Sequence, residues 1–505
     1  MSVDVVRLES SNEPVNSAIA TRLKKSWRVR AAAVDRHWIG VGGLAVVAAT
    51  VYALFAYLHF RQGTFFGWDL GIFDQIVRDY AHFRAPDIST KRHLSPSDTG
   101  VFALADHFSP ILLVLTPMYW ISDSAYNLLF AQAVLFAVAV VPVWIYTRRK
   151  LGVPAAYCVA VAFLLYWPLQ SALDFDFHEV AFAPLILATL IERVDAQRWR
   201  HAAIAAGLLL MVKEDMGPVL IMIGIWIMIR GHRRIGAYFA ASGAATFGFL
   251  IFVVMPAVGG SSKRDWYYGQ LGNSFGQVAE HLAEHPSLLI TEFIDPHVKL
   301  HTAFWLLLPV LFLCFRSWIS ILAIPQVLER AFSDNQFHWM QQYHYNAYLA
   351  AILMLAGVEG ASKFRWRRVR LGWAVGALIV AVSLLPSYPL WQLTSSSLWR
   401  TSSTVSVEGH LISEIPAGSY VMMPWPADPY THGHVRPVSL GCLADAPGWI
   451  LTSDLKTDVA ALNKALPADG NRLKYVAVAT DDHWTIAKLE GSQDPKPQVP
   501  GPATC

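Results

Sequence analysis

Five short stretches of the chain carry side chains able to move protons, hold metals or meet anions: DLGIFDQ (69–75), DHFSP (106–110), DFDFHE (174–179), VKED (212–215) and SDNQFHWMQQYHY (333–345). Carboxylates and imidazoles act as acids and bases once they are held against a substrate. The cluster Asp174, Asp176, His178 and Glu179 also forms a ligand set suited to Mg²⁺ or Mn²⁺, or to Zn²⁺ when His107 joins it. DFDFHE stands between two apolar runs, AAYCVAVAFLLYWPLQSAL and VAFAPLILATLI. A charge inside hydrocarbon costs on the order of 3 kcal/mol, so residues placed like this belong at a membrane surface, in a wet cavity or against partners.

The elements that must position these groups are membrane helices. Of the 505 residues 54% are hydrophobic and only 15% charged, a composition outside the soluble globular norm. The net charge is +3, and basic residues fall in short clusters between apolar runs, which argues against nucleic acid as a partner. Spans of roughly 20 apolar residues are expected near 38–60, 124–147, 156–173, 180–192, 202–213, 217–230, 235–257, 302–316, 318–332, 345–360 and 371–390. The first is retained as an anchor, because no small-residue cleavage site follows it. Lys and Arg favour cytoplasmic loops, and they recur in the N-terminal tail (Arg22, Lys24, Lys25, Arg28) and then in every second connection: Arg148 to Lys150, Arg193 to Arg200, Arg230 to Arg234, Arg316, and Lys363 to Arg370. About 11 transmembrane helices satisfy this alternation, with the N-terminus inside and the C-terminus outside the cytoplasmic (inner) membrane.

That topology delivers all five polar stretches to the outer face. Asp69, Asp74, Asp106, His107, Asp174, Asp176, His178, Glu179, Lys213, Glu214, Asp215, Asp334 and His344 then share one side. Glu214 and Asp215 also suit caps of the following helix. Within the long outer segment 61–123, apolar residues at Leu70, Ile72, Phe73, Ile76, Val77 and Tyr80 predict an amphipathic helix lying in the membrane interface. Asp69 heads that helix, where the macrodipole favours a carboxylate; it suits either a base or a plain N-cap. SPILLVLTPMYWI (109–121) reads as a helix dipping into the outer leaflet.

Residues 391–505 change composition and read as a small α/β extracytoplasmic domain: a Ser-rich start, short β-like runs SYVMMP, WILTSD and KYVAVAT, the helical stretch DLKTDVAALNKAL, and a Pro/Gly-rich tail. Trp425, Tyr430, His432 and His434 suit either a carbohydrate-binding surface or ordinary loop positions there. Cys158 and Cys314 fall in expected membrane helices, whereas Cys442 and Cys505 lie in this outer domain, where an oxidising compartment permits a disulfide between them. The organisation expected is a cytoplasmic tail 1–37, a transmembrane domain 38–390 and the outer domain 391–505.

The motifs DLGIFDQ, HFSPI (107–111), DFH (176–178), KED (213–215), SDN (333–335) and YHY (343–345) resemble a bacterial family of predicted membrane proteins, domain-of-unknown-function family twenty seventy-nine. The long first outer loop with an acidic residue heading a juxtamembrane helix is similar to the GT-C superfamily of membrane glycosyltransferases. That resemblance implies transfer of a sugar from a polyprenyl-phosphate donor to an envelope glycan, lipid or protein acceptor. It puts Asp69 in the place of the catalytic carboxylate and Asp74 where a second acidic residue often follows. The donor phosphate needs cationic partners; Lys213, His107, His178 and Arg92 are the outer candidates, with Asp106, Glu214, Asp215, Asp334 and His344 lining the site. The alternative, a transporter or flippase of an envelope precursor, calls for charges deep in the spans, and these are sparse.

Overall fold

The computed structural model describes residues 36–94, 101–259, 266–400, 402–439, 447–465 and 472–491. Cys442 and Cys505, and the side chain of Arg92, lie outside the described residues, and so does the expectation attached to each. Cys158 and Cys314 are free thiols.

Five helices among the described residues are long and apolar enough to cross a membrane: Arg36–Gln62, Tyr126–Leu151, Val153–Asp174, Arg233–Ala257 and Arg367–Ser387. Each of the other expected spans contains shorter helical segments, such as Met216–Ile229, Val298–Val310 and Ala347–Ser362. The helix Ala347–Ser362 is apolar on all sides, and 14 of its 16 residues are buried, so it forms the middle of the bundle. Helices at the periphery expose their apolar side chains instead: Phe252 is 69% and Ile379 59% accessible, a surface that lipid tolerates and water does not. Glycines allow close packing where Met216–Ile229 crosses Arg233–Phe249. A Cβ on Gly224 would stand 2.5 Å from the Gly236 carbonyl oxygen, and one on Gly217 would stand 2.9 Å from that of Gly243.

The basic clusters converge at one end of the bundle. Lys150 and Arg230 reach Asp195 at 2.6 and 2.8 Å, and Arg149 reaches it at 2.7 Å. Three connections that the alternation of charge assigns to one side are thereby tied together.

The end away from Asp195 carries the helix Trp68–Ala81 and, docked on it, a five-stranded sheet. The strand order is Arg436–Ser439, Tyr420–Met423, Trp449–Thr452, Trp484–Leu489, Tyr475–Asp481; the first three run parallel, and Trp484–Leu489 is antiparallel to both of its neighbours. Side chains alternate across the strands, as period-2 geometry requires. Val421 and Met423 pack on one face with Leu411 and Ile412 of the helix Ser403–Ser413, while Met422 packs on the other with Leu462 of the helix Leu455–Ala465. Of the residues noted in this domain, the side chain of Trp425 lies outside the described residues, and Tyr430, His432 and His434 hold the chain in place. Their polar atoms bond Phe60 O at 2.6 Å, Asp123 O at 2.8 Å and Ile415 O at 2.6 Å, and the first two of these bonds fasten the sheet domain to the bundle. Ser89 Oγ to Pro437 O at 2.8 Å and Arg436 to Asp87 at 3.6 Å complete the dock.

This docking changes the reading of the helix Trp68–Ala81. Ten of its 14 residues are buried, including the polar Asp74, Arg78 and Asp79, so it is enclosed between bundle and sheet and does not float at an interface. Pro110–Ile121, by contrast, leaves Leu113, Val114, Trp120 and Ile121 exposed, an apolar face suited to lipid.

Candidate active site

A cavity of about 790 Å³ opens at the head of the helix Trp68–Ala81. Of the residues singled out in the sequence, Asp69, His107, His178, Lys213, Glu214, Asp215 and His344 line it. They come from five separate segments. The rest of the wall includes the aromatic rings of Phe66, Trp68, Tyr267, Tyr268, Phe337 and Tyr343, together with Lys91, Glu329, Arg330 and His338.

Asp69 is held by a long-range cap. The carboxylate of Asp176 accepts the backbone N–H groups of Gly67 and Asp69 at 3.1 Å each and of Leu70 at 3.3 Å. These are the orphan donors that every helix N-terminus leaves, and no side chain of the helix itself satisfies them. Gly67 has φ of 86°, left-handed backbone that glycine adopts without strain and that turns the chain into the helix. Burial raises the pKa of Asp69 above the ordinary carboxyl value, against the pull of His178, Lys91 and Lys213. Burial and the neighbouring Asp69 likewise raise Asp176, while the three N–H donors work to lower it.

The remaining polar groups form a chain of pairs. Lys213 lies 3.3 Å from Glu179, and His178 contacts the other oxygen of the same carboxylate. Glu179 is fully buried; burial alone would raise its pKa, but His178 and Lys213 hold it well below its usual range. His107 Nδ1 meets Glu214 at 2.9 Å, and the N–H of Phe108 donates to the same carboxylate. Burial and Lys213 oppose a charge on His107, yet Glu214 outweighs them and lifts its pKa to about 9. Asp215, which accepts from Gln326 at 3.2 Å, is raised to about 7 by burial and by Glu329. His344 stacks on His178 at 3.6 Å between ring centroids; burial and His178 drive it neutral, and neither of its ring nitrogens has a partner.

Several expectations are corrected by this geometry. Asp74 does not line the cavity: five residues along a helix turn it by about 140°, to where Arg78 and the Tyr119 hydroxyl, at 2.7 Å, hold its buried carboxylate. Asp174, Asp176, His178 and Glu179 do not converge as a metal set, because Asp174 faces Gln392 at 3.2 Å and His59 at 3.5 Å, and Asp176 caps the helix. Among the described residues the grouping with metal geometry is Asp69, His178 and His344, whose ligand atoms lie within 4.8 Å of one another. Asp106 pairs with Lys91 at 2.7 Å behind the wall. Asp334 donates its backbone N–H to Tyr267 O at 2.8 Å, and it is not among the lining residues.

A family model of predicted membrane proteins (DUF2079) matches residues 64–423, which takes in the cavity and the first strand of the sheet. No curated protein matches the chain. Among solved structures, ArnT from Cupriavidus metallidurans bound to undecaprenyl phosphate is similar in fold, with a TM-score of 0.55 at 14% identity over 90% of this chain and 98% of that one. ArnT in the apo state gives 0.54 at 13% identity over the same shares. An oligosaccharyltransferase of Archaeoglobus fulgidus in complex with Zn and sulfate aligns more loosely, with a TM-score of 0.43 at 14% identity over 78% of this chain and 62% of that one.

Proposed function

The chain belongs to the DUF2079 family of predicted membrane proteins, and we propose that it is a GT-C-type glycosyltransferase. In this reading it moves a sugar from a polyprenyl-phosphate donor to a glycan, lipid or protein acceptor of the cell envelope, on the outer face of the cytoplasmic membrane. The observation that carries the reading is the placement of Asp69: a carboxylate of raised pKa, fixed at a buried helix N-terminus, in a cavity that also holds cations and aromatic rings. The ArnT-like fold supports it, and that neighbour was crystallised with a lipid phosphate of the class assigned here to the donor.

The chemistry asks little else of the protein. The acceptor hydroxyl loses its proton to Asp69 as its oxygen bonds to the anomeric carbon, and the bond from that carbon to the phosphate oxygen breaks. A base with its pKa raised toward the working pH is a better proton acceptor than an ordinary Asp. The polyprenyl phosphate leaves with its negative charge, which Lys213 and protonated His107 stabilise through the cavity. Phe66, Trp68, Tyr267 and Tyr343 offer flat apolar faces for sugar rings and exclude water.

A divalent cation also fits this site. Asp69, His178 and His344 would hold it with one oxygen and two nitrogens, a donor set suited to zinc, and the unpartnered nitrogens of His344 are free to ligate. Bound there, the ion would supply a Lewis acid against the charge of the departing phosphate. An ion held there would also draw the pKa of Asp69 down, so its raised value belongs to the metal-free site.

The test is sugar transfer by the purified protein, offered a panel of polyprenyl-phosphate sugars. Asp69→Asn is expected to lower the rate by about 10² to 10⁴ while leaving expression and thermal stability near wild type. Full activity in Asp69→Asn would remove the base, and no transfer by wild type from any lipid-linked donor would refute the glycosyltransferase reading.

A further inference from the structure

The cations of the cavity are not equivalent. Lys91 pairs with Asp106 at 2.7 Å, His107 with Glu214 at 2.9 Å and Lys213 with Glu179 at 3.3 Å. Arg330, on the helix Ile324–Ala331, is only 7% exposed and lines the same cavity. Among the described residues no carboxylate lies within ion-pair distance of it. Its bonds go to neutral oxygens alone: Nη1 donates to Asn346 Oδ1 at 2.8 Å and Nη2 to the carbonyl of Tyr345. Its Nε is buried without a partner. A guanidinium carries five N–H donors, so three remain.

A buried positive charge without a hydrogen-bonded counter-charge is costly, Glu329 acts on this one only at longer range, and a ligand could bring the missing charge. The surroundings also fix the guanidinium in place. Asn346 and the Tyr345 carbonyl hold it from one side, and the Tyr348 ring lies 4.9 Å below its central carbon. A planar fork held still, with free N–H groups, matches the oxygens of a phosphate in a way that a lysine does not.

We propose that Arg330 is the anchor of an anion subsite for a phosphate ester, beside Lys213 and His107, whose charges are shared with Glu179 and Glu214. The anion site stands on the geometry of Arg330; its assignment to the lipid donor rests on the glycosyltransferase reading.

The experiment measures binding to the full-length purified protein of two probes, undecaprenyl monophosphate and inorganic phosphate, by ligand-induced thermal shift and by titration. Arg330→Gln is expected to weaken binding of the lipid probe by roughly 10- to 100-fold, the range for losing a hydrogen bond to a charged group. Arg330→Lys keeps the charge but not the fork, and is expected to fall between; it carries the test if Arg330→Gln does not fold. A merely structural Arg330 would lower the melting temperature in both variants and leave both probes binding as in wild type, which would overturn the proposal. Dependence on Arg330 for inorganic phosphate alone, with no binding of the lipid, would uphold the anion subsite and refute the lipid donor.

Discussion

The cap provided by Asp176 gives the most direct test of how the site is built. Asp176→Ala removes the acceptor of three backbone N–H groups, those of Gly67, Asp69 and Leu70. Loss of an ordinary helix cap costs about 0.5–2 kcal/mol, and a buried donor left without a partner costs about 1–3 kcal/mol. Gly67 and Leu70 are buried, and water reaches them poorly. The two figures overlap in what they count, so a total of roughly 2–4 kcal/mol is expected, concentrated at the head of the helix. Asp176→Asn keeps one acceptor oxygen and should lose about half as much. The assay is amide hydrogen exchange followed by mass spectrometry in detergent, with thermal unfolding alongside. Exchange over residues 67–71 should rise by roughly 30-fold or more in Asp176→Ala, the equivalent of 2 kcal/mol, while the helix Ala347–Ser362 stays protected. Unchanged protection at 67–71 in an otherwise intact protein would show that the carboxylate is not what holds this helix end.

Other outcomes follow from the same geometry. Asp74→Asn breaks a buried pair with Arg78, which keeps its second partner Asp123, so it should cost about 1.5–3 kcal/mol of stability and spare the turnover of whatever protein remains folded; a loss of turnover at full stability would return Asp74 to the chemistry. Assayed free of divalent metal, the transfer rate should fall as pH drops through the raised pKa of Asp69, an acid limb above the ordinary Asp value of about 3.9, and a limb at or below that value would contradict a base of raised pKa. Because the pKa of His107 is lifted to about 9, its pairing with Glu214 contributes fully below its unfolded pKa of about 6.5 and is lost as pH rises through about 9. His107→Gln should therefore flatten alkaline destabilisation between those limits, and an unaltered profile would discount the pair. Zinc measured by mass spectrometry should bind wild type and Asp174→Ala alike but drop in His344→Ala; loss in Asp174→Ala instead would restore the sequence-based ligand set. Cysteine at Ser396 should label with an impermeant thiol reagent in intact cells and cysteine at Ala196 should not, and the reverse pattern would turn the cavity to the cytoplasm.

How far the fold could be read from sequence depended on whether a residue's partner was near it in the chain. The apolar spacing of Leu70, Phe73, Ile76 and Val77 specified a helix headed by Asp69, and that helix is present. Its burial on the other side was not legible, because Gln75, Arg78 and Asp79 look like a solvated face until the sheet domain docks over them. In the sheet, the runs at 420–423, 449–452 and 475–481 stood out by their β-branched and aromatic content. The strand Arg436–Ser439 did not: it contains Pro437, and proline is tolerated there because the strand lies at the sheet edge. The helix Ser403–Ser413 was hidden by Ser, Thr and Val, which favour other conformations in isolation and form a helix here through packing of Leu411 and Ile412 on the strands. Arg330 and Glu329 were absorbed into an apparent span at 318–332. Two adjacent charges in so apolar a run were the available signal, since charges retained at that depth mark function more often than not.

The stretch DFDFHE shows why residue type alone misled about metal. Three carboxylates and an imidazole in six residues look like a ligand cluster, yet extended and turning backbone sends successive side chains in different directions. Asp174 faces His59 and Gln392, binding the end of one long helix to another and to the linker that leads to the sheet domain. Asp176 caps the helix of Asp69, and Glu179 joins Lys213 to His178. Only His178 is left facing Asp69 and His344. The motif is therefore better understood as the hub that fixes three neighbouring elements around the cavity, with Phe175 and His178 presented to whatever binds there. On that account, substitutions at Asp174 and Asp176 should act on the order of the site, whereas substitutions at His178 should act on its chemistry.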